Sequence, residues 1–136
     1  MIEVKRWLAN QINYAMFQAR IKMPSPVFVT NERDFLKEAT LPICTIRPTT
    51  IADDLARYGG FTERVVVTVW LPEGEDPDKS DDIIRALEEH VSAQRGETEN
   101  YFFVVSKSSL YDEVFHSDLK AWGIRTELTI RGLKKP

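Results

Sequence analysis

The sequence is poor in the residues from which disulfides, metal centres and phosphate-binding loops are built. A single cysteine, Cys44, excludes an internal disulfide and a zinc site made of several thiolates. The two histidines, His90 and His116, have no second histidine or cysteine at a metal-ligand spacing. Among the six glycines, the pair Gly59-Gly60 lacks the Lys-Ser/Thr that would follow in a phosphate-binding loop. The sequence therefore predicts no cofactor, no metal and no catalytic residues.

Long hydrophobic runs are also missing. The longest apolar stretch, VVVTVWL at residues 65–71, is too short to cross a bilayer. The first residues, MIEVKRWLANQI, carry charges where a signal peptide has an apolar segment. We therefore expect a protein without a membrane anchor in a reducing cytoplasm. Cys44, within the apolar run LPICTIR, is expected to be a buried thiol.

Charge is distributed unevenly along the chain. The formal net charge is −3, which argues against a nucleic-acid-binding protein that relies on an overall positive field. Residues 73–90 carry eight acids against Lys79 and Arg85. The rest of the chain is therefore slightly positive.

Hydrophobic spacing predicts two helices and several strands. Near the start, apolar residues recur every three or four positions, which indicates an amphipathic helix that ends before Pro24. The residues Ile83, Leu87 and Val91 indicate a second helix after the acidic run. NERD at residues 31–34 is typical of a turn. Strands are predicted at residues 26–30, 41–47, 64–71, 100–106 and 123–132.

The order of these elements predicts the fold class. A hydrophobic content of 43% over 136 residues is typical of a single globular domain, here residues 1–136. Strong strands follow one another without intervening helices, which argues against a doubly wound parallel sheet. We predict an α+β fold, with a mostly antiparallel β-sheet against which an N-terminal helix and a second helix pack.

The acidic run EGEDPDKSDD, residues 73–82, is the densest group of potential functional side chains. It does not match a calcium-binding loop that begins at Asp76, because Asp81 stands where glycine is needed and Leu87 where a glutamate is needed. Acids on an exposed turn also lack the contrasting environments that paired catalytic carboxylates require. We expect Ser80 to cap the second helix, with an earlier start at Asp76-Pro77 as the alternative.

Two segments have a composition that is typical of protein–protein contact surfaces. DDLARYGGFTER, residues 53–64, is long for a connection and combines arginine and aromatic residues with flexible glycines. SSLYDEVFHSDLKAW, residues 108–122, mixes aromatic and charged residues without a clear period. An ordinary hairpin tip and a partly covered edge strand are the respective alternatives. The residues expected at an interface are Arg57, Tyr58, Phe61, Asp112, Glu113 and Trp122.

The order and texture of the whole chain resemble a known family. An N-terminal amphipathic helix is followed by LPICTIRPTT, RVVVTVWLPEGEDPD, DDIIRALEEHV, YFFVVS and GIRTELTIRG. In this order of elements the chain resembles the tail terminator and tail-completion proteins of tailed bacteriophages, which are small α+β proteins. Head–tail connector proteins of the phage neck have a similar layout.

The resemblance implies a structural role rather than an enzymatic one. A tail terminator caps the tail tube as a homo-oligomeric ring, usually a hexamer, and presents a surface to the head connector protein. DNA passes through such a ring without sequence-specific binding. The expected location is then the tail or neck of the virion, after assembly in the host cytoplasm. A non-viral α+β protein-interaction module, or a small enzyme, remains the alternative.

Overall fold

The fold consists of a seven-stranded sheet and three helices, in a computed structural model that describes residues 2–49, 59–108 and 111–136. The helices are α1 (Ile2–Gln18), α2 (Glu32–Leu36) and α3 (Asp78–His90). The strands are β1 (Val27–Phe28), β2 (Ile43–Thr49), β3 (Gly60–Pro72), β4 (Arg95–Glu97), β5 (Tyr101–Lys107), β6 (Asp112–His116) and β7 (Ala121–Lys134). The α+β class with an N-terminal helix is confirmed.

The strand order in the sheet is β1-β2-β3-β7-β5-β4, and β6 pairs with β7 beside β5. Among the described strands, the short β1–β2 pair is parallel and the other pairings are antiparallel. The longest ladder joins β3 to β7, from Gly60 opposite Leu133 to Pro72 opposite Ala121. Beta-branched residues dominate β3 and support this extended pairing. The sheet is therefore built around β3 and β7.

One face of the sheet is covered by α1 and α3. The buried side of α1 presents Val4, Leu8 and Ile12, and the buried side of α3 presents Ile83 and Leu87. These side chains pack on alternate residues of the central strands, which belong to the same hydrophobic cluster: Cys44, Val65, Val67, Val69, Ile124 and Leu128. The expectation of a buried thiol at Cys44 is confirmed. Burial raises the pKa of this thiol far above its usual range.

The other face of the sheet is covered over only part of its length. Leu36 of α2 packs on Ile43, Trp70 and Ala121 in a second, smaller hydrophobic cluster. The sequence indicated only a turn at residues 31–34. Instead, the side chain of Asn31 accepts a hydrogen bond from the backbone N–H of Asp34 and so caps a short helix. Because α2 has five residues, it shields one end of this face and not the other.

The start of α3 corrects the expectation that Ser80 caps it. The helix begins at Asp78, so Ser80 lies inside the first turn, where its Oγ is buried without a hydrogen-bond partner among the described residues. Asp76 takes over the role, since its Oδ1 accepts the backbone N–H of Asp78 at 3.0 Å. Pro77 precedes the first helical residue, where its missing N–H costs nothing. The earlier start considered as the alternative is thus the observed one.

Replacing Asp76 with alanine is expected to lower the free energy of unfolding by about 1 kcal/mol, because a backbone N–H loses its acceptor at the positive end of a helix. Ser80→Ala is the matched control. It removes an unpaired buried hydroxyl and should leave stability unchanged or slightly higher. Urea unfolding followed by circular dichroism measures both. A loss in Ser80→Ala with none in Asp76→Ala would contradict this assignment of the cap.

Candidate interaction surface

Of the interface residues expected in the first segment, residues 53–64, the structure describes only Phe61. Arg57 and Tyr58 lie outside the described residues. Phe61, near the start of β3, is only 4% exposed. Its ring packs edge-on against Tyr101, with the ring centroids 5.4 Å apart. In this chain the Phe61 side chain therefore contributes to the core beneath the helices.

The interface residues expected in the second segment, Asp112, Glu113 and Trp122, lie at the opposite end of the β3–β7 ladder from Phe61. Asp112 accepts two hydrogen bonds from Arg125, its neighbour across the strands, at 2.7 and 3.2 Å. These bonds raise the pKa of the Arg125 guanidinium. Glu113 is exposed, and Trp122 packs half-buried against the core. Phe61 and Trp122 are separated by about 30 Å of ladder, so the structure does not bring the two groups together.

A different surface stands out on the part of the sheet that α2 leaves open. Phe102 and Val104 of β5 and Leu133 of β7 point to this face and are 52%, 47% and 54% exposed. Phe102 lies directly opposite Leu133 in the ladder, so the apolar side chains are neighbours. Phe103, the residue between the first two, turns to the helices and is 3% exposed. Large apolar side chains grouped on an open face are typical of an interaction site.

Four arginines lie on the same face of the sheet, Arg131 and Arg95 beside Val104, and Arg64 and Arg47 on the more distant strands β3 and β2. Arg131 pairs with Val104, which in turn pairs with Arg95 across β5 and β4. Arg64 pairs with Thr129, two residues before Arg131 on β7. The arginine patch is defined here as Phe102, Val104 and Leu133 together with Arg47, Arg64, Arg95 and Arg131. No described residue forms an ion pair with any of the four arginines.

Two further charged side chains lie at the border of the arginine patch. Lys135 Nζ lies 4.7 Å from the centroid of the Phe102 ring and 2.5 Å from the carboxylate of Glu97. Each charge of this ion pair is therefore balanced locally. The same face also carries Glu127 of β7, opposite Val66, so the four arginines give it an excess of positive charge. Arginine combined with aromatic surface is the composition that protein interfaces favour.

Strand β5, which carries two of the three apolar residues of the patch, is fixed from the helical side. Lys107 Nζ lies 2.7 Å from Glu88 of α3, and the Tyr111 hydroxyl is 3.3 Å from the hydroxyl of Ser92. Burial raises the pKa of Tyr111 to about 12. The first contact ties the last residue of β5 to α3, and the second ties the chain after β5 to the chain that follows α3.

A second surface feature is a groove of about 330 Å³ between the end of α1 and α3. Its rim includes Arg20 and Arg85 but also Asp82 and Glu89. Positive and negative groups alternate there, so the groove does not favour a ligand of either charge. Within the ranges that the structure describes, no group of three or more His, Cys, Asp or Glu side chains could hold a metal ion. No helix of the described chain is long and apolar enough to span a membrane.

Sequence reasoning missed the arginine patch for an identifiable reason. The run YFFVV, in the strand predicted at residues 100–106, was interpreted as buried, and Leu133 lay beyond the predicted end of the last strand. The available signal was the number of predicted helices, because two helices on one face leave the opposite face of a sheet to be covered by something else.

No family model matches the sequence, and no curated protein is significantly similar to it.

Proposed function

We propose that the protein is a structural assembly protein of a tailed-phage particle, a tail terminator that forms a ring on the tail tube. The ring, in this proposal a hexamer, joins the tube to the head connector protein and lets DNA pass without sequence-specific binding. Its place is the tail or neck of the virion, reached after assembly in the host cytoplasm. The function is mechanical and needs no bound cofactor.

The observation that carries the proposal is the arginine patch. Phe102, Val104 and Leu133 are each about half exposed, although equivalent residues on the opposite face are buried. An exposed apolar group surrounded by charged side chains is the composition of a surface that another protein covers. A ring protein needs such a surface on every copy, because each subunit contacts two neighbours.

The order of the secondary-structure elements also supports the proposal. The helices α1 and α3, the sheet and the final strand follow the order on which the resemblance to tail terminators rests. A non-viral interaction module would use the arginine patch as well, but for a dimer or a complex with another protein. The mass of the assembly distinguishes the two functions.

The test is the mass of the purified protein in solution, by native mass spectrometry and light scattering, with negative-stain imaging of the particles. We expect closed rings, six subunits being the proposed number. Phe102→Ser combined with Val104→Ser should weaken association at least about tenfold, since truncated central apolar contacts at interfaces cost 1–2 kcal/mol or more.

Phe17→Ser is the matched control, because Phe17 is 75% exposed but lies on α1, on the opposite side of the sheet. Its association should equal that of the wild type. A wild-type chain that stays monomeric at high concentration would contradict self-assembly. A strict dimer would favour the interaction module, and rings that form equally well in the double variant would remove the arginine patch from the interface.

A further inference from the structure

We propose that the arginine patch binds the acidic segment, residues 73–82, of a second copy of this chain, so that copies associate head to tail. This inference rests on the proposed self-assembly and identifies the two surfaces that meet. The occupant of the patch follows from the charges on the two surfaces and from their separation within one chain.

The arginines disfavour the simplest alternative, a symmetric face-to-face pair. In a two-fold dimer the same patch meets itself, so Arg131 and Arg64 of one copy would approach the arginines of the other. Like charges brought together at an interface suppress such pairings. The exposed apolar residues Phe102 and Leu133, together with the arginines of the patch, therefore favour a partner surface that is negative and not identical.

The acidic segment has the required charge on every copy. Glu73, Asp78 and Asp81 are exposed, and no described residue forms an ion pair with them. Two other acids are already paired, since Glu75 lies 2.9 Å from Lys79 and Asp82 lies 3.9 Å from Arg85. The segment thus offers three carboxylates to the four arginines of the patch, with which no described residue forms an ion pair.

The two surfaces cannot meet within one molecule. Arg64 lies near one end of β3, and Glu73 follows its other end after nine residues of extended chain, about 30 Å. The backbone N–H of Glu73 is bonded to the carbonyl of Lys120 at 3.2 Å, which fixes the acidic turn to that end of the sheet. Complementary surfaces at opposite ends of a subunit produce heterologous contacts, which close into a ring when the rotation allows.

A nucleic acid is a weaker fit to the same patch. Phe102 is its only aromatic residue, whereas single-stranded nucleic acids are usually held by several stacked rings along a positive groove. Val104 and Leu133 have no face on which a base would stack, and they fit the methylene groups of a protein side chain. The composition of the patch therefore favours a protein segment.

The test uses two charge-reversed full-length chains. One carries Arg64→Glu and Arg131→Glu, and the other carries Glu73→Lys and Asp78→Lys. Each variant alone should associate at least about tenfold more weakly than the wild type, because like charges meet at every contact. Mixed in equal amounts, the two should form rings with alternating subunits and an even number of copies. Lys22→Glu with Arg6→Glu on the helical side is the matched control and should assemble normally.

The outcomes separate this inference from the proposed function. Wild-type rings together with normal assembly of either single-type variant would overturn the head-to-tail pairing and leave self-assembly standing. Failure of the mixture to recover, with both chains folded by circular dichroism, would also overturn it. A wild-type chain that is monomeric would contradict the proposed function itself. Binding of a single-stranded oligonucleotide by the monomer, lost in the Arg64→Glu, Arg131→Glu variant, would replace the second copy by a nucleic acid.

Discussion

Trp70→Ala is expected to lower the free energy of unfolding by about 3–5 kcal/mol, the largest effect of any single change considered. Trp70 is 1% exposed and anchors the second hydrophobic cluster, where Leu36 and Ile43 pack against it. Its Nε1 donates to Thr45 Oγ1 at 2.9 Å, and its ring lies 5.0 Å from that of His116. Truncation leaves a cavity between α2 and the sheet and removes a donor from the Thr45 hydroxyl.

Urea unfolding followed by circular dichroism measures this effect. Trp70→Phe separates the two contributions, because it keeps most of the apolar volume and loses only the hydrogen bond. We expect it to cost less, about 1–2 kcal/mol. A loss below about 1 kcal/mol in Trp70→Ala would mean that α2 does not pack on the sheet as described.

Gly132→Ala is expected to cost about 3 kcal/mol, at the upper end of the range for overpacked cores. A Cβ at this position would lie 2.5 Å from the backbone oxygen of Phe102, 2.6 Å from Cε1 of Phe61 and 2.7 Å from Cβ of Phe103. The backbone oxygen belongs to β5, so relief requires β5 to move away from β7. That movement would break ladder hydrogen bonds and displace the apolar part of the arginine patch.

Lys134→Ala is the control for Gly132→Ala, because Lys134 lies two residues further along β7 and is exposed. Its unfolding free energy should stay within about 0.5 kcal/mol of the wild type. Both variants are compared by urea unfolding, and amide hydrogen exchange in β5 reports whether that strand has moved. Wild-type stability in Gly132→Ala would show that β5 and β7 can separate here without cost.

The central part of the fold could be predicted from the sequence, because its signals are local and strong. In β7, Ile124, Leu128 and Ile130 alternate with Arg125, Thr129 and Arg131, and in β3 valines dominate. The elements that sequence reasoning missed are short. The strand β4 has three residues and β6 has five, and both are mostly polar or charged, so neither shows a period. They are strands because β5 and β7 offer them backbone hydrogen bonds.

The candidate surface was less predictable, for a related reason. Whether Phe102 or Phe103 is buried depends on which face of β5 the helices cover, and the sequence of β5 is apolar at both positions. Arg47, Arg64, Arg95 and Arg131 belong to four strands, and they share a face only through the register of the sheet. Because this register depends on pairing between distant strands, the sequence of a single strand does not reveal it.

The central position of β7 also has a consequence for synthesis. Its partner β3 is translated earlier, with residues 73–120 in between, and at typical translation rates about 2–10 s pass before β7 follows. During that interval one edge of the valine-rich β3 has no native neighbour, and nascent chains on one polysome could pair through it. The carboxylates of residues 73–82 emerge directly after β3. These carboxylates repel one another on neighbouring nascent chains and so oppose aggregation. Charged residues beside an aggregation-prone strand protect a chain in this way. Neutralising them should therefore lower the yield of soluble protein even where the finished fold is equally stable.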